Sequence, residues 1–185
     1  MTDPRISALR SLLDAYRPAD DREAVHLERI RRLLETREQP FDRDGFDPGH
    51  ITASGFVTDR TRARLLLIHH RRLDIWIQPG GHVDPSDAGV DAAARREIAE
   101  ETGLTDLEVV PPGVIDVDVH RYPARPGGDP AHQHFDIRFG YIALEGRLDP
   151  NDEVHAARWV AASDLPGLGV DESVLRPARK LLATP

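Results

Sequence analysis

The chain has no cysteine among its 185 residues. That excludes disulfide staples, thiolate metal centres and cysteine nucleophiles together, and it fits a reducing compartment. Lysine is nearly missing as well: Lys180 is the only one, and arginine supplies the other basic residues. There is no basic tract, and the net charge is −8. Phosphate-backbone binding needs clustered positive charge, so nucleic acid is not an expected partner. No run is long and apolar enough to span a bilayer. Residues Met1 to Arg10 carry Asp3 and Arg5 and lack the apolar stretch of a signal peptide. The expectation is a cytoplasmic protein with no membrane partner.

What is present is an ordinary globular balance, 39% hydrophobic and 30% charged residues, enough for one domain with a sizeable core. Ile6, Leu9, Leu12, Leu13 and Tyr16 recur at helical spacing, and so do Leu27, Ile30, Leu33 and Leu34. Pro18 separates these two helices, and Asp20 or Asp21 is placed to cap the second. Residues 1–40 therefore read as an N-terminal helical extension whose apolar faces need a partner surface, as an accessory cap or as the element of a homodimer. Pro40 to Gly49 reads as a linker. In residues 41–185 the texture changes to short strands: Ile51–Thr58 and Arg64–His69 as a hairpin, Ile75–Ile77, Leu107–Val119, His134–Leu144 and Ala157–Val160. One helix, Asp91–Thr102, sits among them and stops at Gly103; another, Ser173–Leu182, follows a cap at Asp171. Strands on both sides of a central helix, with helices at both ends, predict an α/β/α layering around a mixed sheet.

The chemistry concentrates between Gly80 and Leu104. A strand runs into Pro79-Gly80-Gly81, and a helix then carries Arg96, Glu97, Glu100 and Glu101. On that helix Glu97 lies at i,i+3 from Glu100 and at i,i+4 from Glu101, so three carboxylates crowd one side of two turns. Arg96 offsets only part of the repulsion. A hard divalent cation offsets more, because carboxylate oxygens suit Mg²⁺ or Mn²⁺. The plain alternative is a solvated helix face with salt-bridging spacing. The glycine pair, the acidic residue at Asp87 and the closing Gly103-Leu104 weigh against it.

This segment resembles the Nudix box, G-x5-E-x7-R-E-U-x-E-E-x-G-U. Gly81 opens it, and Arg96, Glu97, Ile98, Glu100, Glu101, Gly103 and Leu104 match its second half. Asp87 stands where the family has glutamate, and the spacer to Arg96 is one residue longer. The resemblance implies a Nudix α/β/α sandwich and hydrolysis of a phosphoanhydride bond in a nucleoside diphosphate linked to another moiety. It also implies Mg²⁺ or Mn²⁺ held by Glu97, Glu100 and Glu101, with the Gly80 carbonyl completing the shell. Glu97 is the implied base, and Arg96 the positioning group. A further acidic ligand often comes from outside the box, and Glu153 is the candidate. Trp76 and Trp159 read as packing rather than as base platforms, and His69, His70 and His82 carry no assigned role.

Three rivals share the fold. A catalytically inactive nucleotide-binding regulator would be expected to lose box carboxylates, and all are present. The isopentenyl diphosphate isomerase chemistry uses a cysteine. An mRNA-decapping role would call for a basic patch. Tyr122 occupies a position associated with dinucleoside polyphosphate hydrolases. A last pattern is a polar lane. Asp116, Asp118 and His120 share one face of a strand, and His132, His134, Asp136 and Arg138 share one face of the next. Antiparallel pairing of these strands would bring Asp118 near His134. The lane reads as a solvated sheet face, as a His-x-His metal site, or, as preferred here, as a lining where His120, His132, His134 and Tyr122 bind the small-molecule substrate.

Overall fold

The computed structural model describes residues 3–124 and 127–182. Short polar side chains start most helices. Asp3 accepts the Arg5 N–H ahead of α1 (Pro4–Ala15), and Asp20 accepts the Glu23 N–H ahead of α2 (Asp21–Thr36). These bonds satisfy donors that a helix cannot pair internally. α3 (Val90–Thr102) carries the motif and ends at Gly103, whose φ of 78° suits glycine. α4 (Glu172–Leu181) starts where Asp171 accepts the Ser173 N–H.

The sheet is built from β1 (Gly49–Thr58), β2 (Arg64–His70), β3 (Ile75–Ile77), β4 (Gly80–His82), β5 (Asp106–Tyr122), β6 (His132–Glu145) and β7 (Val154–Ala161). Its main path runs β3-β2-β1-β6-β5, with β7 on β2 and β4 on β1. The β1–β6 pair is parallel and the other pairs are antiparallel, so the sheet is mixed. Two local expectations change. Gly80–His82, where the glycine pair gave no strand to read, is a strand that pairs Gly80 with Ser54 and His82 with Thr52. β5 and β6 do pair antiparallel, but His120 faces His134 and Asp118 faces Asp136. The register therefore differs by two residues from an Asp118–His134 match, and those two are diagonal neighbours on one face.

One sheet face presents Ile51, Ala53, Val57, Val117, Val119, Phe135 and Ile137. It shares a continuous core with Ala93, Ala94 and Ile98 of α3 and with Ile6, Leu9, Leu13, Leu27 and Ile30 of α1 and α2. Phe56 and Ile115 on the other face pack with Val174, Ala178 and Leu181 of α4. The α/β/α layering follows.

The N-terminal helices are thus part of the sandwich's packing and not an appendage to it. They also seal its edge. β5 ends the main path, and its outer Ile115 carbonyl accepts bonds from Tyr16 Oη (3.2 Å) and Lys180 Nζ (2.8 Å). An uncovered edge would present such groups to other chains. Arg5 of α1 donates to the Asp84 carbonyl at 2.9 Å and so steadies the approach to α3. The buried aliphatic side chains Ile6, Leu9, Leu13, Leu27, Ile30, Leu33 and Leu34, at about 2 kcal/mol each, rival the net stability of a typical domain. Deleting residues 1–38 should therefore leave a chain that aggregates or lacks a cooperative melt by circular dichroism. A truncated chain that melts cooperatively near the full-length Tm would contradict this.

Candidate active site

β4 and α3 form the site together. Gly81 lies flat against the Glu97 carboxylate: a Cβ there would stand 2.5 Å from Glu97 Oε1. Only a residue without a side chain allows that approach. The Gly80 N–H donates to Glu101 Oε2 at 2.9 Å. Arg96 Nη1 donates to Glu97 Oε1 and to Glu100 Oε2, each at 3.0 Å. Its other nitrogens reach Asp87, Nε to Oδ1 at 3.2 Å and Nη2 to Oδ2 at 3.1 Å, and Nη2 also donates to the His82 carbonyl at 2.9 Å. Arg96 therefore ties β4, the loop and α3 into one unit. Asp87, itself buried, accepts the Asp84 N–H at 2.8 Å. Both its oxygens are engaged, so it orients Arg96 and shapes the loop, and it does not face the other carboxylates as a ligand.

Burial pushes the Glu97 carboxyl up to about 7 against the pull of Arg96. It pushes Glu101 up to about 8 despite the Gly80 N–H, and the charges of Glu97, Glu153 and Glu100 add to that rise. Glu153, on the loop before β7, therefore lies within electrostatic reach of Glu101. These shifts carry a stability consequence. In the unfolded chain both glutamates titrate near 4.5. The folded chain binds more protons between that value and about 8, so its stability declines as pH rises through this window. Chelator-treated protein should lose Tm from about pH 5 to about pH 9, and Glu101→Gln should flatten the decline. A metal-free Tm that rises over this range would overturn the account.

The other face of the sheet holds the polar lane. Its inner half is closed over: Asp116, Asp118, Asp136 and Arg138 are buried. Arg138 donates to Asp136 Oδ2 at 2.8 Å, to Asp116 Oδ1 at 3.3 Å and to Asp118 Oδ2 at 3.2 Å. Arg176 and Lys180 of α4 complete the cluster on Asp116. This half is an internal ion network, neither a solvated face nor a substrate lining. Its outer half is aromatic. His134 stacks on Tyr122 with centroids 4.4 Å apart, and His120 Nδ1 lies 3.0 Å from Asp118 Oδ2. His120 and Tyr122 are partly open to solvent, while His132 and His134 are buried.

The tryptophans pack as expected: Trp159 lies against the core, and Trp76 stacks on His69 at 5.0 Å beneath the Arg158 guanidinium. His70 accepts the Arg72 N–H in the following turn. His50, Arg176, Glu23 and His26 escaped the reading of the sequence. Glu23 and His26 share the apolar face of α2 with Leu27 and Ile30, which was the available signal. A cavity of about 910 Å³ lies between α1, the end of α2 and Phe41, and the α3 carboxylates do not line it. Among the described residues no helix is long and apolar enough to cross a membrane.

A mixed sheet between helices, with a strand–glycine–helix unit presenting Arg96 and three glutamates, defines a class that comparison with known proteins confirms. The NUDIX domain model matches residues 48–182, and the chain belongs to the Nudix family. A putative 8-oxo-dGTP diphosphatase of Bacillus subtilis (strain 168) is 28% identical over 103 residues, covering 56% of this chain. This chain spans 61% of that relative's length. A Nudix-family hydrolase from Clostridium perfringens superposes with TM-score 0.58 at 20% identity, covering 71% of this chain and 95% of that one. The E. coli dihydroneopterin triphosphate pyrophosphohydrolase gives 0.57 at 16% identity, covering 71% and 94%. At these identities the two structures speak to the fold.

Proposed function

We propose that this chain is a divalent-metal-dependent pyrophosphohydrolase that cleaves a phosphoanhydride bond in a nucleoside diphosphate joined to another group. The observation that carries this is the concentration of carboxylates around Glu101: Glu97, Glu100 and Glu153 all press on it, and Arg96 bonds to Glu97 and Glu100 but not to Glu101. An all-oxygen donor set with a flat glycine wall fits Mg²⁺ or Mn²⁺. Glu97, Glu100 and Glu101 would hold it, with the Gly80 carbonyl and Glu153 beside them. When bound, the ion neutralises phosphate oxygens and acidifies an attacking water.

The rest is supplied by the chain. Glu97, fixed by Arg96 Nη1 and walled by Gly81, takes the proton of the attacking water. Arg96 is a positioning residue for Glu97 and Glu100, and Asp87 positions Arg96 in turn. His120 and Tyr122, at the open margin of the opposite face, contact the nucleotide, with His132 and His134 behind them. Placement and electrostatics supply most of the rate in such reactions.

The test is a panel of nucleoside diphosphate derivatives, including 8-oxo-dGTP, assayed with Mg²⁺ and with Mn²⁺ for release of phosphate or nucleotide. Metal-dependent turnover of at least one compound is expected. Tight nucleotide binding without release from any would replace the enzyme with a binding regulator.

A further inference from the structure

Five histidines gather on the sheet face opposite α3, and four strands bring them there. His50 of β1 pairs with His134 of the parallel β6, and His134 faces His120 of β5. His82 of β4 pairs with Thr52, one step along the same face from His50. His132 lies two residues before His134 and so on the same face. The result is a cluster of rings: His50 stands 4.9 Å from His82, 4.9 Å from His132 and 5.1 Å from His134, centroid to centroid. Each of His50, His82 and His134 can offer one ring nitrogen such that the three atoms lie within 4.8 Å of one another.

Packing alone does not account for this cluster. His50 is fully buried, and neither of its ring nitrogens makes a hydrogen bond of good geometry, with only the Gly45 backbone near enough to act on it as a hydrogen-bond partner. A buried polar atom left unpaired costs about 1–3 kcal/mol, and native chains rarely carry one without a reason. His132, beside the cluster, has both ring nitrogens engaged. Its Nδ1 lies 2.8 Å from the Pro130 carbonyl, which only accepts, so that nitrogen carries the proton. Its Nε2 then accepts from His134 Nε2 at 3.1 Å, so the His134 Nδ1 lone pair is the one left for a ligand. Burial, helped by His82 and His132, lowers the His50 pKa to about 4 and keeps that imidazole neutral near pH 7. Neutral imidazole is the form that ligates metals.

We propose that His50, His82 and His134 bind a first-row transition ion of the zinc type, at a site distinct from the carboxylates of α3. The donors decide the ion. Mg²⁺ and Mn²⁺ favour oxygen, whereas imidazole suits zinc and its neighbours. Zinc holds nitrogen at about 2.0–2.1 Å and takes four ligands, so the rings must draw inward by about an ångström. The three histidines leave the fourth position to a water, and His132, held by the Pro130 carbonyl, lies beside His134 as a neighbouring partner that helps orient that ring. The ion would tie β4 to β1 and β6. The other side of β4 serves the α3 site: the Gly80 N–H holds Glu101, and the His82 carbonyl accepts from Arg96. The zinc would thus brace the strand on which the carboxylate site is built. This inference is independent of the proposed reaction.

The test is made on the full chain, stripped with a chelator and titrated with zinc alone, then with cobalt alone. One zinc per chain should be retained through gel filtration in the presence of excess Mg²⁺. His50→Gln and His134→Gln should weaken zinc binding by about a hundredfold or more, while Glu101→Gln retains it. The cobalt form should show the visible bands of a four-coordinate site of three nitrogens and a water. Retention abolished by Glu101→Gln and intact in both histidine variants would move the ion to α3 and overturn the proposal, as would retention far below one equivalent. Should a histidine variant fail to fold, imidazole ¹⁵N shifts of the wild-type chain on zinc addition decide: movement of buried histidine signals supports the site, and unmoved signals overturn it.

Discussion

Glu97→Gln is expected to lower kcat by about a thousandfold or more at saturating Mg²⁺, with the fold intact. General base catalysis alone contributes about 10²–10⁴, and this carboxylate is also a proposed ligand. The amide keeps the shape that Gly81 and Arg96 enclose. It cannot take up a proton, and it binds a hard cation weakly. Glu100→Gln and Glu101→Gln should also cost orders of magnitude, each with a weakened Mg²⁺ dependence. Glu101→Gln should be the most stable of the three without metal, because Glu101 has the most elevated carboxyl of the helix. Steady-state kinetics across Mg²⁺ concentration, with melts of each variant, checks both statements. A kcat within threefold of the parent in all three variants would remove the α3 glutamates from the reaction. Asp87→Asn, which removes charge from the Arg96 clamp without touching the glutamates, should lower kcat less than any of them.

What the sequence disclosed depended on how local the signal was. α3 was legible because its start, its charged positions and its Gly103 stop all lie within one short stretch. The paired strands β5 and β6 were legible because Val117, Val119, Phe135 and Ile137 alternate with polar residues. Their register was not, since bulges in β5 between Val109 and Val114 and between Val114 and Asp116 set it. β4 escaped because three residues, two of them glycine, give no period to read. The parallel pairing of β1 with β6 escaped for a stronger reason: it joins residues more than eighty positions apart. His50 therefore passed unnoticed at a linker's end, although it sits beside His134 in space. The carboxylate site is a product of helical period and was readable. The histidine cluster is a product of topology and was not.

The polar lane shows the same limit, and it yields the largest expected effect on stability. Alternation placed Asp116, Asp118, Asp136 and Arg138 on one face, and an exposed or cleft-lining face was the natural reading. Long-range packing reverses it, because α4 and α2 bring Arg176, Lys180, Glu23 and His26 over the aspartates. The chain's only lysine is spent here. Burial alone would raise Asp118, yet the bond to His120 and the charges of Arg138 and His26 outweigh it and hold its carboxyl below the usual range. Asp116 is likewise held low, with Arg176, Arg138 and Lys180 outweighing burial. Arg138→Met should leave three aspartates in a dry interior with one fewer cation. Removing one partner of a buried pair costs about 3–5 kcal/mol, which lowers Tm by roughly 10 °C in a chain of this size. Arg138→Lys keeps the charge but cannot reach all three carboxylates at once, so it should recover only part of the loss. The depressed aspartates fix the sign of the pH dependence. Their contribution is complete above the unfolded value of 3.8 and is lost as pH falls below it. Arg138→Met should therefore narrow its gap to the parent under acid conditions, where the parent's own network fails. Urea unfolding of parent and variants at neutral pH and below about pH 4 measures this, and a neutral-pH difference under 1 kcal/mol would mean that the network contributes nothing that packing does not.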